Sequence, residues 1–255
     1  MAETKEHKTT KAETARPKSS KNRSADKICE NMTYAAREAF KRLRTNVLNS
    51  FPEEETKKCR FIGITSAQPS EGKSTVSINL AYSLAELGKS ILLIDGDMRR
   101  PSLHDKLGVS QSPGLSDLLT KEDNVGSVVV RYKSTAGDIS FNVITGGLLP
   151  GNPSELLNST RFETLIKVLS SACDYIIMDL PPINAVVDAV NASKLTDGMI
   201  IVLRENNCPR HILADCMEQL SYAKANILGF VVNGSMEGAG KRYQYGQRAY
   251  RYGKY

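Results

Sequence analysis

The chain has 255 residues, 40% of them hydrophobic and 24% charged, with a net charge of +6. That suffices for one sizeable domain with a full core plus tails, in the ordinary range of a soluble globular protein. It excludes a membrane-spanning class, because no stretch approaches the roughly 20 consecutive apolar residues that cross a bilayer. Residues 1–27 carry no apolar run, so they are not a secretory signal. The five cysteines (Cys29, Cys59, Cys173, Cys208, Cys216) lack CxxC or metal-ligand spacing and read as reduced thiols of a cytoplasmic protein.

The excess positive charge is terminal. Residues 1–27 hold eight Lys/Arg against four acids, and five basic residues with no acid lie between Lys241 and the end. A basic arm can serve nucleic acid or an anionic membrane surface. No nucleic-acid-binding motif accompanies it, so residues 1–30, polar and without periodicity, read as a solvated disordered arm.

Residues 32–50 place Ala36, Phe40, Leu43 and Val47 at helical spacing among basic residues, which predicts an amphipathic helix leading into the domain. From residue 60, the runs RFIGIT, SILLID, ISFNVI, DYIIMD, GMIIVL and ILGFVVN are nearly continuous in apolar residues. Such runs suit strands buried on both faces of a parallel sheet. Helical periodicity over 73–88, 160–172, 184–194 and 209–223 alternates with them. The expectation is a doubly wound α/β domain with a mostly parallel sheet, spanning residues 31–233. Residues 234–255 contain nothing to bury and form a flexible tail.

The strongest motif is Ala67-Gln68-Pro69-Ser70-Glu71-Gly72-Lys73-Ser74-Thr75, following a strand and opening a helix as a P-loop must. Ala67 replaces the usual first glycine. Loop N–H groups and the helix dipole hold phosphate oxygens. Gly72 lets the backbone approach, Lys73 reaches the outer phosphates, and the Ser74 hydroxyl ligates Mg²⁺. The strand ILLID ends in Asp95-Gly96-Asp97, two carboxylates at the sheet's carboxyl edge, where open α/β sheets bind ligands. Asp179, ending DYIIMD before Leu180-Pro181-Pro182, has the position of a Walker B aspartate. Arg99 and Arg100 either neutralise phosphate, hold an acidic partner segment or are solvated surface arginines. His104 reads as a packed or surface histidine rather than a catalytic one.

Five of the ten tyrosines lie in the last 13 residues: Tyr243, Tyr245, Tyr250, Tyr252 and Tyr255. Gly246 and Gly253 interrupt any helix face or strand. Interleaved with basic residues, they suit either single-stranded nucleic acid or a cluster of phosphoacceptors. Each phosphate adds about −1.5 to −2 charge, so phosphorylation would reverse the sign of the tail. With a nucleotide site in the same chain, the phosphoacceptor reading is preferred.

The segments SAQPSEGKST, LLIDGDMRRPSLH, GLSDLL, LLPGNPSELL, DYIIMDLPP and the terminal tyrosines together resemble the bacterial protein-tyrosine kinases of capsule and exopolysaccharide synthesis. The resemblance covers residues 32–255 and is most specific at Asp95-x-Asp97-x-Arg99-Arg100-Pro101-x-x-His104 and the tail. It implies a P-loop NTPase fold using ATP and Mg²⁺. Lys73, Asp95, Asp97 and Asp179 are then the catalytic set, and Ser70, Glu71, Gly72, Lys73, Ser74 and Thr75 the ATP-binding set. Ser74, Asp95 and Asp179 are the metal ligands, with Asp97 the candidate proton acceptor.

The resemblance also implies a homo-oligomeric ring, such as an octamer, that comes apart on tail phosphorylation. A membrane-anchored activator or chain-length modulator would recruit the chain to the inner face of the membrane, a cognate tyrosine phosphatase would reverse the reaction, and no nucleic acid is expected. The ring-contact pattern is matched by Glu38-x-x-Lys41-x-x-Arg44, with lysine where arginine is usual; lysine lacks the bidentate fork. The rival class is the positioning ATPases, which share the fold and carry a signature lysine in the P-loop. Gln68 stands at that position here.

Overall fold

The computed structural model describes residues 31–51, 58–121, 124–135 and 137–234. The basic arm and the tyrosine cluster lie outside the described residues. Helix α1 (Tyr34–Asn49) is started by Thr33, whose hydroxyl accepts from the Ala36 N–H. There follow β1 (Arg60–Ser66), α2 (Lys73–Ala85) and β2 (Ile91–Asp95), then the short helices α3 (Leu103–Leu107), α4 (Leu115–Thr120) and α5 (Val125–Val128). The hairpin β3 (Val130–Lys133) and β4 (Ser140–Ile144) leads into α6 (Pro153–Leu157) and α7 (Thr160–Ser170). The chain continues through β5 (Tyr175–Asp179), α8 (Asp188–Ser193), β6 (Gly198–Arg204), α9 (Arg210–Tyr222) and β7 (Ile227–Asn233).

The seven strands lie in the order β3-β4-β2-β5-β1-β6-β7, parallel throughout except for the antiparallel β3–β4 pair at one edge. The chain turns leftward from β1 to β2 and later returns to place β5 between them. That order makes the carboxyl ends of β1, β5 and β2 three neighbouring walls of one crevice.

Every residue of β1, β2 and β5 is buried, and the period of two explains why. Ile62, Ile64, Leu93 and Ile177 join the core beneath α1 and α2. Their neighbours Phe61, Leu92, Ile94 and Ile176 join the opposite core with Phe162, Leu169 and Leu220 from α7 and α9. A strand covered by helices on both sides has no polar face to show, hence the continuous apolar runs.

Two expectations need adjusting. The run ILGFVVN does form a strand, but β7 is the sheet's outer edge, and Phe230 and Val232 are exposed. Its rank in the sheet, which composition does not encode, decides this. The helix expected over 184–194 begins only at Asp188, because the chain after Pro181-Pro182 first makes a turn in which the Ala185 N–H bonds to the Pro182 carbonyl. The short elements β3 and α3 to α6 carry too few residues to show a period.

Candidate active site

The P-loop joins two buried elements, so its ends are fixed. Inside it, Ser70 and Gly72 take left-handed backbone angles (φ +64° and +97°), curling the loop before α2. Gly72 is required twice over. Its φ disfavours a side chain, and a Cβ there would stand 1.9 Å from the Asn233 amide nitrogen. Asn233, the last residue of β7, donates from that nitrogen to the Glu71 carbonyl at 3.0 Å. Glu71 itself is fully buried; its carboxylate accepts from the Gln68 N–H at 3.0 Å and reaches the Arg204 N–H at 3.5 Å. The Glu71 side chain therefore braces the loop from beneath, while Ser70, Gly72, Lys73, Ser74 and Thr75 line the cavity.

Parallel register sets Asp95 directly beside Asp179. Gly96 permits this closeness, since a Cβ there would meet the Met178 side chain at 2.5 Å and the Asp179 carbonyl at 3.0 Å. Both carboxylates are buried. Asp95 Oδ2 accepts from the N–H groups of Ser102 and Leu103, each at 2.9 Å, and so ties the loop that enters α3. Burial, then the Asp179 charge, push the Asp95 carboxyl up to about 8 against those two amides. Burial also raises Asp179, opposed by Lys73 and by a hydrogen bond from Ser74; Ser77 Oγ donates to Asp179 Oδ1 at 3.2 Å. Asp97 faces the cavity, accepts from the Arg100 N–H at 3.0 Å and is raised by burial, with Lys73 pulling the other way. Ser102 Oγ donates to Ser74 Oγ at 2.9 Å.

These groups surround a cavity of about 650 Å³, the size of a nucleotide-class pocket. Among the described residues, Lys73, Arg99, Arg100 and Lys106 line it against the one carboxylate of Asp97, a balance suited to a polyphosphate. Arg99 and Arg100 are both exposed at the rim, but Arg99 is also forked onto the buried Asp188. No three His, Cys, Asp or Glu side chains form a metal cage among the described residues. Mg²⁺ needs none, because it takes one or two protein oxygens and completes its shell with water and phosphate. The Ser74 hydroxyl and the Asp179 carboxylate, held together beneath Lys73, fit that demand; Asp95 offers Oδ1, which has only a 3.3 Å contact from the Asp97 N–H.

Of the residues singled out in the sequence, Ser70, Gly72, Lys73, Ser74, Thr75 and Asp97 line the cavity, with Asp95 and Asp179 beneath it. His104 is outside it, with Nε2 3.5 Å from its neighbour Asp105. The helix-α1 pattern is engaged within the chain: Lys41 pairs with Glu38 at 2.8 Å, and Arg44 donates to the Ser83 carbonyl at 2.7 Å beside Glu86 at 3.4 Å. Ser102, Ser154 and Asp188 belong to the site's framework but were not singled out in the sequence. Ser102 lies within LLIDGDMRRPSLH and Ser154 within LLPGNPSELL, whereas Asp188 lies in none of the quoted segments.

Fold and site define a P-loop nucleotide-binding protein, and the AAA domain family matches residues 59–227. Tyrosine-protein kinase YwqD of Bacillus subtilis (strain 168) is 33% identical over 208 residues, covering 82% of this chain and 85% of that protein. The putative tyrosine-protein kinase CapB of Staphylococcus aureus is 33% identical, covering 77% of this chain and 83% of its own. The solved kinase domain of Escherichia coli tyrosine kinase ETK superposes with a TM-score of 0.73 at 33% identity, over 79% of this chain and 76% of that one. The chain belongs to the bacterial tyrosine-protein kinases, and it is an enzyme of that class. A cobyrinic acid a,c-diamide synthase from Mycobacterium smegmatis, solved with an ATP analog and magnesium, shares the fold alone (TM-score 0.60, 18% identity, over 76% of this chain and 83% of that one).

Proposed function

We propose that this chain is a tyrosine autokinase that uses ATP and Mg²⁺ to phosphorylate Tyr243, Tyr245, Tyr250, Tyr252 and Tyr255. The observation that carries this is where the tail begins. Asn233 ends β7 bonded to the P-loop, so the last described residues lie beside the nucleotide cavity. Nine residues separate 234 from Tyr243, and a random coil of that length would span roughly 15–20 Å root-mean-square, enough to reach the same chain's cavity or a neighbouring subunit's.

In this reading the loop amides and the positive end of α2 bind phosphate oxygens, and Lys73 neutralises charge at the outer phosphates. Ser74 and Asp179 hold the metal, which when bound offsets the charge that develops on the transferred group. Transfer is in line, so the protein chiefly positions the acceptor and stabilises charge. Asp97 takes the phenolic proton: it faces the cavity, and burial has raised its proton affinity. Asp95 ties down the loop entering α3 through Ser102 and Leu103 and offers Oδ1 to the metal or its water.

The biological setting follows the family. The chain acts in capsule or exopolysaccharide synthesis, in the cytoplasm, and is recruited to the membrane by a membrane-anchored activator. Subunits assemble as a ring, and a tyrosine phosphatase restores the unmodified tail. Among the described residues no helix is long and apolar enough to cross a membrane.

The test is incubation of concentrated full-length protein with Mg-ATP, followed by phosphotyrosine blotting and tryptic mass spectrometry. The activator's cytoplasmic segment is added in a parallel arm. Phosphotyrosine confined to residues 243–255, absent in Lys73→Met and in a chain ending at Gly240, is the expected result. ATP hydrolysis without phosphotyrosine in both arms would overturn it.

A further inference from the structure

Arg99 is held with unusual completeness for a side chain at the rim of a cavity. Its Nε donates to Asp188 Oδ2 at 2.9 Å, and its Nη2 donates both to Asp188 Oδ1 at 3.2 Å and to Ser154 Oγ at 2.9 Å. Ser154 Oγ in turn donates to Asp188 Oδ1, and the Asn191 amide fixes the Ser154 carbonyl at 3.0 Å. Asp188 is fully buried at the start of α8, so this carboxylate has no water to face and depends on these partners. Three segments far apart in sequence converge here: the loop after β2, helix α6 and helix α8.

The pairing uses one edge of the guanidinium and leaves the other. A guanidinium has five N–H donors in a rigid plane. Nε and Nη2 account for three of them, and among the described residues no hydrogen bond engages either hydrogen of Nη1, on a side chain that lines the nucleotide cavity. The strand order places β5 between β1 and β2, so the P-loop and the loop bearing Arg99 stand on opposite walls. Phosphates seated on the P-loop amides would be held from the β1 side, leaving their outermost group to face the opposite wall.

We propose that Asp188 is a positioning residue: together with Ser154 it clamps Arg99 so that the free Nη1 edge binds the terminal phosphate of ATP. Arg99 is thereby the group that distinguishes ATP from ADP, and Asp188 contributes only through it. A loose arginine would pay rotamer entropy on each binding event, whereas a clamped one has already paid it. The inference rests on the nucleotide-site reading, and it stands whether or not the tail tyrosines are the acceptors.

The experiment is a double-mutant cycle on the full-length chain, using Arg99→Ala, Asp188→Asn and the double variant. Dissociation constants for MgATP and MgADP are measured by titration with fluorescent nucleotide, alongside thermal melting. All three variants are expected to lose MgATP affinity by a similar factor, about 10- to 100-fold for one charge-assisted bond. MgADP affinity changes less than about 2-fold in each. Ser154→Ala, which removes one of the three bonds and leaves the buried ion pair, shows a smaller loss in the same sense and serves if Asp188→Asn does not fold. Losses that add in the double variant, or an equal fall for MgADP, would overturn the proposal. Failure of every variant and the parent to bind either nucleotide would instead refute the nucleotide-site reading itself.

Discussion

The side-chain amide of Asn233 donates to the backbone carbonyl of Glu71 at 3.0 Å, joining the last residue of the edge strand to the middle of the P-loop. The same nitrogen fills the space above Gly72. The outermost described strand thus stabilises the curvature of the phosphate-binding loop from a distance of 162 residues along the chain.

Gly72→Ala is therefore expected to be far worse than a helix-start alanine usually is. The new methyl would meet Asn233 and the residue would have to keep φ +97°. Nucleotide affinity, read by isothermal titration, should fall at least about 10-fold, while Asn233→Ala costs only about one hydrogen bond, ~1 kcal/mol. The combination Gly72→Ala with Asn233→Gly relieves the collision but not the backbone strain, so partial recovery is the expected outcome.

The buried aspartates predict a pH dependence of stability in metal-free protein. Asp95 is pushed to about 8, mainly by burial and then by the Asp179 charge, and Asp97 and Asp179 are raised as well. Between the unfolded carboxylate value near 4 and the folded one, the native state holds a proton that the unfolded chain has released. Native stability then falls as pH rises through that window. Denaturant titrations in EDTA from pH 5 to pH 8.5 should show this decline, and Asp95→Asn should flatten it. A rise in stability over the same range would refute the assignment.

Arg44 offers a structural prediction at the position matched to the family's ring-contact pattern. Its guanidinium reaches the Ser83 carbonyl at the end of α2 and is only 14% exposed. Arg44→Ala should lower stability by about 1–2 kcal/mol by unpinning α1, measured by urea denaturation at low protein concentration. The pair Lys41–Glu38 is half-buried and lies within one helix, so Lys41→Ala should cost clearly less than Arg44→Ala. Equal effects of the two substitutions would contradict this difference in burial.

Leu93 is fully buried at the middle of β2 in the core beneath α2. Leu93→Ala should cost about 2–5 kcal/mol in denaturant unfolding. Val232→Ala on the exposed face of β7 should stay within about 0.5 kcal/mol.

The sequence by itself determined the alternation of apolar strands with amphipathic helices, the P-loop, the aspartate that ends β2 and the one two residues beyond it. These are local signals: period, loop chemistry and a pair of carboxylates two residues apart are all visible in a short window. The adjacency of Asp95 to Asp179 was hinted at by shared position at strand ends, but it became a fact only through parallel register. Three matters were decided by tertiary structure alone. The apolar run of β7 lies at an exposed edge, Asn233 became the brace of the P-loop, and Asp188 with Ser154 became the clamp on Arg99. Each depends on which strand lies beside which, a property of crossover connections spanning many residues. A buried carboxylate such as Asp188 looks in sequence like any helix-starting aspartate; only the packing of α6, α8 and the β2 loop removes its water and leaves an arginine as its partner.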